Sequence, residues 1–142
     1  MIVNGLLKKK DKVHFWGRID DRKKLATLLA ISDIFVFPSR KEGFGIAPLE
    51  AMAAGLPVIA LSAMGTTDIL AGAGGAVVPP DDPAAFGDAL GTFLGSLSQA
   101  HGYSEQARRT ASAWSDTAMA ARLAECYRQA VERHAAGTAR LR

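Results

Sequence analysis

The chain has 142 residues, 49% of them hydrophobic and 22% charged, proportions of a globular domain that exclude a disordered or fibrous chain. Its formal charge of +3, from 17 Lys and Arg against 14 Asp and Glu, is too mild for a nucleic-acid coat, so no nucleic-acid partner is expected. No run approaches the ~18 apolar residues of a spanning helix. A single cysteine, Cys126, excludes an internal disulfide framework and a cysteine-built metal cluster, and reads as a small core residue.

Residues 1–11 read as a lead-in. Lys8-Lys9-Lys10 follow apolar Ile2 and Val3, the reverse of a signal peptide, so a cytoplasmic location is the default expectation. The lysine run is a solvated stretch or one drawn to phosphate or a membrane surface, which keeps peripheral membrane contact open. A first strand is expected at Val13-His14-Phe15-Trp16, with His14 a core or edge histidine and Trp16 a packing residue. Asp20-Asp21 then cap a helix with Leu25, Leu28, Leu29 and Ser32 at three- and four-residue spacing, and Arg22, Lys23 and Lys24 form its solvated start.

Ile34-Phe35-Val36-Phe37 and Pro57-Val58-Ile59-Ala60-Leu61 are nearly continuous apolar runs, the pattern of strands covered on both faces. Between them lies a helix over 47–54, with Pro48 near its first position and Gly55 just past its end. Ala76-Val77-Val78 is a weaker strand. Asp82-Pro83 opens a helix through Phe86, Leu90, Phe93, Leu94 and Leu97. Two more helices cover 105–113 and about 117–134, with Ser115 or Asp116 as a cap between them, and 135–142 form a flexible tail. Strands alternating with helices mean an α/β domain with a mostly parallel sheet flanked by helices. There is no internal repeat and no dividing linker, so 1–142 is one domain.

The densest segment runs from Pro38 to Glu50, through strand, glycine loop and helix start. In an open parallel sheet, ligands bind beyond the carboxyl ends of the strands, where this loop lies. Gly43 and Gly45 let a ligand approach the main chain, and the next helix turns its first amides and positive dipole end toward the same space, a seat for phosphate. Glu42 and Glu50 flank it. A carboxylate repels phosphate, and its natural partners are hydroxyls, so the pattern fits a sugar nucleotide. The other reading is structural: Glu50 serves only the helix dipole, and Gly43-Phe44-Gly45 is only a tight connection. Arg40 and Lys41 are surface charges or phosphate contacts.

Glu42-Gly43-Phe44-Gly45, continued by Glu50-Ala51-Met52-Ala53-Ala54-Gly55-Leu56-Pro57-Val58-Ile59-Ala60, closely resembles the signature of the group 1 (family 4) retaining glycosyltransferases of GT-B fold. Ser32 to Ser39 and Gly75 to Asp82 resemble its flanking segments, and the likeness covers about 11–134. The resemblance implies a Rossmann-like C-terminal donor-binding domain. It implies that Glu50 accepts hydrogen bonds from ribose hydroxyls and that Glu42, the catalytic candidate, contacts hydroxyls of the transferred sugar. It sets the amides of Gly43, Phe44, Gly45 and Ile46 against the donor sugar and diphosphate, and brings the base to Gly17-Arg18-Ile19. The resemblance further implies a UDP- or GDP-sugar as co-substrate, with no other cofactor and no protein-bound metal.

The likeness begins inside the family pattern. The acceptor-binding N-terminal domain and the opening strand of the donor domain have no counterpart in this sequence, and Asp68 stands where the family has a glutamate. The expected function is retaining transfer of a sugar to an acceptor hydroxyl, with little activity unless an N-terminal domain or partner subunit is supplied. The alternatives are a non-catalytic nucleotide-sugar module, one subunit of a split enzyme, or an inactive remnant. Trp114, Met119, Leu123, Tyr127 and Val131 recur at helical spacing, and self-association through this stripe is expected. Trp114 itself reads as a packing residue.

Overall fold

The computed structural model describes residues 14–41, 43–63, 65–96 and 100–139. Three strands, β1 (Phe35–Phe37), β2 (Val58–Ala60) and β3 (Ala76–Val77), form a parallel sheet in the order β1-β2-β3. Phe35 lies opposite Val58 and Phe37 opposite Ala60, while Val58 and Ile59 face Ala76 and Val77 on the other side. β2 is the central strand and is buried along its whole length, as its unbroken apolar run requires.

The first expected strand does not form. Val13 lies outside the described residues, and 14–20 adopt no regular structure. A strand needs a partner for its ladder, and among the described residues β1 pairs with β2 alone. Phe15 is left 82% exposed, and Trp16 is held in the open with the Lys24 ammonium 4.8 Å from its ring centroid. His14 is exposed as well, neither core nor sheet edge.

The helices start where the caps direct. α1 (Arg22–Ala30) begins after Asp21, whose carboxylate accepts from Lys23 N at 2.8 Å and Lys24 N at 3.3 Å. α2 (Ile46–Ala53) begins one residue earlier than its sequence pattern indicates, so Pro48 is its third residue. That position lies within the first turn, where a missing N–H costs no helical bond. At the far end of α2, Leu56 N donates to Ala51 O and Gly55 N to Met52 O, both at 2.9 Å, with Gly55 at φ +89°. This is a Schellman closure, and it needs the left-handed residue that glycine supplies.

α3 (Thr66–Leu70) is a short helix with no counterpart in the sequence expectation. α4 (Pro83–Gly95) starts at Asp82, whose Oδ2 accepts from Ala85 N at 2.8 Å. It ends before Leu97, which lies outside the described residues. α5 (Ala100–Ala113) begins five residues ahead of the expected 105, and α6 (Asp116–Ala139) is capped by Ser115 and continues helical through residues expected to be a tail. Residues 140–142 lie outside the description.

Ala51, Met52, Leu56, Val58, Ala60, Ile69, Leu70 and Ala107 make one core, with α2 between the sheet and α5. Gly75, at φ +86°, admits α5: a Cβ there would stand 2.4 Å from Ala107 N. Beyond the α5–α6 corner little covers α6. Leu123, Tyr127 and Val131 are exposed, and so is Cys126, which therefore is not a core residue. No helix among the described residues is long and apolar enough to cross a membrane.

Candidate functional site

Three loops leave the carboxyl ends of the parallel strands, and specific bonds tie them together. Ser62 N donates to Pro79 O at 3.1 Å, and Leu61 N to Phe37 O at 3.2 Å. Arg40 Nε donates to Asp81 Oδ1 at 2.7 Å, joining the loop after β1 to the loop after β3. Within the first loop Ser39 Oγ donates to Lys41 O at 3.2 Å.

That loop enters α2 through Gly45, which is buried and sits at φ +80° as the N-cap, with no side chain capping the helix. A Cβ at Gly45 would meet Gly65 O at 3.8 Å and Thr66 Cγ2 at 3.9 Å, so the starts of α2 and α3 lie side by side. The left-handed φ, rather than crowding, is what asks for glycine here.

An open groove of about 530 Å³ runs along the outer side of α2 to the α5–α6 corner. Ile46, Glu50 and Ala53 line it from one face of the helix, the i, i+4, i+7 spacing that places side chains in a row. Phe44 closes it from the loop side, and Arg108 and Trp114 from the corner. Phe44 and Trp114 meet edge to face, with ring centroids 5.8 Å apart. The guanidinium of Arg108 lies over the end of α2, where a Cβ on Gly55 would come within 2.3 Å of it. A cation at a helix C-terminus is favourably placed against the dipole.

The sequence-derived set therefore divides. Phe44, Ile46 and Glu50 share one groove, Gly43 is exposed in the loop that leads to it, and Gly45 supports it from below. Arg18 and Ile19 do not join them: Arg18 Nε is bonded to Asp20 Oδ1 at 2.6 Å, Ile19 is half-buried, and neither lines the groove. Glu42 lies outside the described residues. Asp68 is exposed on the first turn of α3. Arg108 and Trp114 are the groove residues that motif reading missed. Gly55 carried a weak signal for the first, because a glycine helix stop also leaves room for a neighbour.

The arrangement offers a hydroxyl acceptor, Glu50, on the second turn of a helix whose start carries no capping side chain, beside an aromatic wall. Residues 6–110 match the family Glycosyl transferases group 1. Over 82% of its length the chain is 35% identical to D-inositol 3-phosphate glycosyltransferase of Corynebacterium urealyticum, covering 30% of that protein. Over 55% of its length it is 49% identical to D-rhamnosyltransferase WbpZ of Pseudomonas aeruginosa, covering 21% of it. Among solved structures, sucrose-phosphate synthase of Thermosynechococcus elongatus superposes on 87% of the chain with a TM-score of 0.72 and 29% identity, over 31% of its own length. The chain thus spans a fifth to a third of the length of these relatives. By fold and by sequence it belongs to the group 1 glycosyl transferases.

Proposed function

We propose that this chain is the donor-binding half of a retaining glycosyltransferase that takes a UDP- or GDP-sugar in the cytoplasm. The diphosphate sits against the Gly43–Ile46 amides at the start of α2. Glu50 accepts hydrogen bonds from the ribose hydroxyls. By its place in the sequence beside Gly43, Glu42 is assigned to the hydroxyls of the transferred sugar. The acceptor is bound by an N-terminal domain or a partner subunit, and transfer needs both halves. The chain's part in the reaction is to orient the donor and to stabilise the charge of the departing diphosphate. Relatives named for rhamnosyl and mannosyl transfer favour a hexose-type group.

The observation that carries this reading is the position of Glu50. Its exposed side chain lines the same groove as Phe44 and Ile46, one turn behind the glycine N-cap of α2. A carboxylate placed to stabilise only the helix dipole has its largest effect in the first turn, and Glu50 is the fifth residue of α2.

Thermal unfolding against UDP, GDP and ADP tests the reading. Ligand at 100 times its dissociation constant adds about 2.7 kcal/mol, a rise of several degrees for a domain of this size. Hydrogen bonds to a charged group contribute about 1.5–3 kcal/mol, so Glu50→Ala is expected to weaken the preferred diphosphate about tenfold or more. Its stability change should stay within about 0.5 kcal/mol, because the side chain is exposed. A variant that binds as tightly as the parent would remove Glu50 from the ribose. No shift with any diphosphate at millimolar concentration would leave a domain that needs its other half to bind.

A further inference from the structure

We infer that Trp114 is a positioning residue for the donor loop: anchored from α6 and the core, it holds Phe44 and, through it, the Gly43–Gly45 turn. The inference rests on the donor-binding reading for its consequence, although the positioning itself is a property of the free protein.

The turn is held at its Gly45 end, which is buried and whose carbonyl accepts from Leu49 N at 3.3 Å, while its Gly43 end is exposed. Phe44 stands between two glycines, a Cβ on Gly43 would meet nothing within 4 Å, and Gly45 is already in the left-handed region. Glycine on either side adds conformational freedom, and Phe44 is the side chain through which the exposed part of the turn can be held from outside. Phe44 is 43% exposed, and its ring meets Trp114 edge to face at 5.8 Å and 78°.

Trp114, by contrast, is restrained on several sides. Its backbone N–H donates to Ala111 O at 3.0 Å, and its ring packs against the core cluster that includes Met52 and Leu70. The Arg122 guanidinium lies 4.8 Å from its ring centroid and donates to the Ala113 carbonyl. Arg122 is on α6, so a continuous run of contacts leads from α6 through Trp114 to Phe44 and the loop. Of the two rings, Phe44 is the more exposed. An edge-to-face pair of this kind shifts an equilibrium by about two- to tenfold.

The experiment combines backbone hydrogen exchange of the ligand-free chain with UDP and GDP titrations of Trp114→Ala, Trp114→Phe, Phe44→Leu and the Phe44→Leu/Trp114→Ala double variant. Trp114→Ala should speed exchange at the Gly43–Ile46 amides about three- to tenfold, beyond any change in β2. It should weaken diphosphate binding by a similar factor. Trp114→Phe, which keeps a ring, should restore most of both. The double variant should be no worse than the weaker single one, because both remove one contact.

A uniform rise in exchange across loop and sheet, or additive losses in the double variant, would make Trp114 a core residue only and overturn the inference. If Trp114→Ala does not fold, Phe44→Leu, an exposed change, must still loosen the loop alone. Should the parent chain bind neither UDP nor GDP, the donor reading fails while loop exchange still decides the positioning.

Discussion

Two glycine turns at the same edge of the sheet lead into helices, and they end differently. After β1, Gly45 at φ +80° opens α2; after β2, Gly65 at φ +86° opens α3. Neither glycine N-cap offers a capping side chain, but the threonines of α3 bind the loop that precedes it. Thr66 is wholly buried, its hydroxyl donating to Leu61 O at 2.9 Å and accepting from Ala63 N at 3.2 Å. Thr67 Oγ1 donates to Ala63 O at 2.9 Å. The start of α2 has Ile46, Ala47 and Pro48 in the same places, with no hydroxyl among them, and Ile46 is 61% exposed beside the groove. Helix amides without a side-chain partner are left for solvent or an anion. The two turns share a left-handed φ but differ in ψ, +38° at Gly45 and −44° at Gly65, and the burial of Thr66 at the start of α3 against the exposure of Ile46 separates the structural start from the one open to a ligand.

The sharpest way to break this contrast is to open the closed end. Thr66→Val keeps the shape and removes the hydroxyl, leaving buried groups of the 61–63 loop without their partner. That should cost about 2 kcal/mol of stability in urea unfolding. Diphosphate affinity of the folded fraction should stay within about twofold. A comparable loss of affinity would mean that both helix starts serve the ligand, and the contrast would fall.

The converse change acts on the open end. A Cβ at Gly45 has ordinary room, with its nearest neighbour 3.8 Å away, so Gly45→Ala isolates the cost of the left-handed backbone. That cost is about 1–2 kcal/mol of stability. Diphosphate binding should fall by more than stability alone accounts for, because the amides of the turn change direction. Isothermal titration at a temperature where the variant is fully folded checks this. Unchanged affinity with lowered stability would make the Gly45 turn a structural one, like that of Gly65.

How much of this is legible in the sequence depends on whether a feature is local. Asp21, Gly55 and Asp82 punctuate helices in the sequence as they do in the fold, because a cap acts within three residues of itself. β2 shows as an apolar run because both its faces are covered. α3 is invisible, since five residues reading Thr-Thr-Asp-Ile-Leu are too few to display a period. The strand expected at 13–16 has the right residues but no partner among the described residues, and pairing is not a property of one segment. Periodicity marks Leu123, Tyr127 and Val131 as one face of α6 without saying whether anything covers it, and the small apolar side chain of Cys126 on the same helix is exposed as well. At the site, Gly43 to Glu50 can be read as a motif. Arg108 and Trp114 cannot, because they reach the groove only through the approach of α5 at Gly75 and Ala107.

The smallest effect asks which side of the contrast Arg40 belongs to. It stands in the loop that leads to the open helix end, where a guanidinium can meet phosphate, but it is bonded to Asp81 at 2.7 Å. Both side chains are about half exposed, 59% and 45%, so the pair sits in high dielectric and contributes little, about 0.5 kcal/mol. Arg40→Ala should therefore lower the melting temperature by no more than about 3 °C. The difference from the parent should shrink in 1 M salt, where screening acts within about 3 Å. Exchanging the partners, Arg40→Asp with Asp81→Arg, should recover the lost stability, and diphosphate affinity should stay within about twofold in both variants. A tenfold loss of affinity in the exchanged pair, with stability recovered, would instead make Arg40 part of the ligand end. The link between the loops after β1 and β3 would then be how the guanidinium is held in place for phosphate.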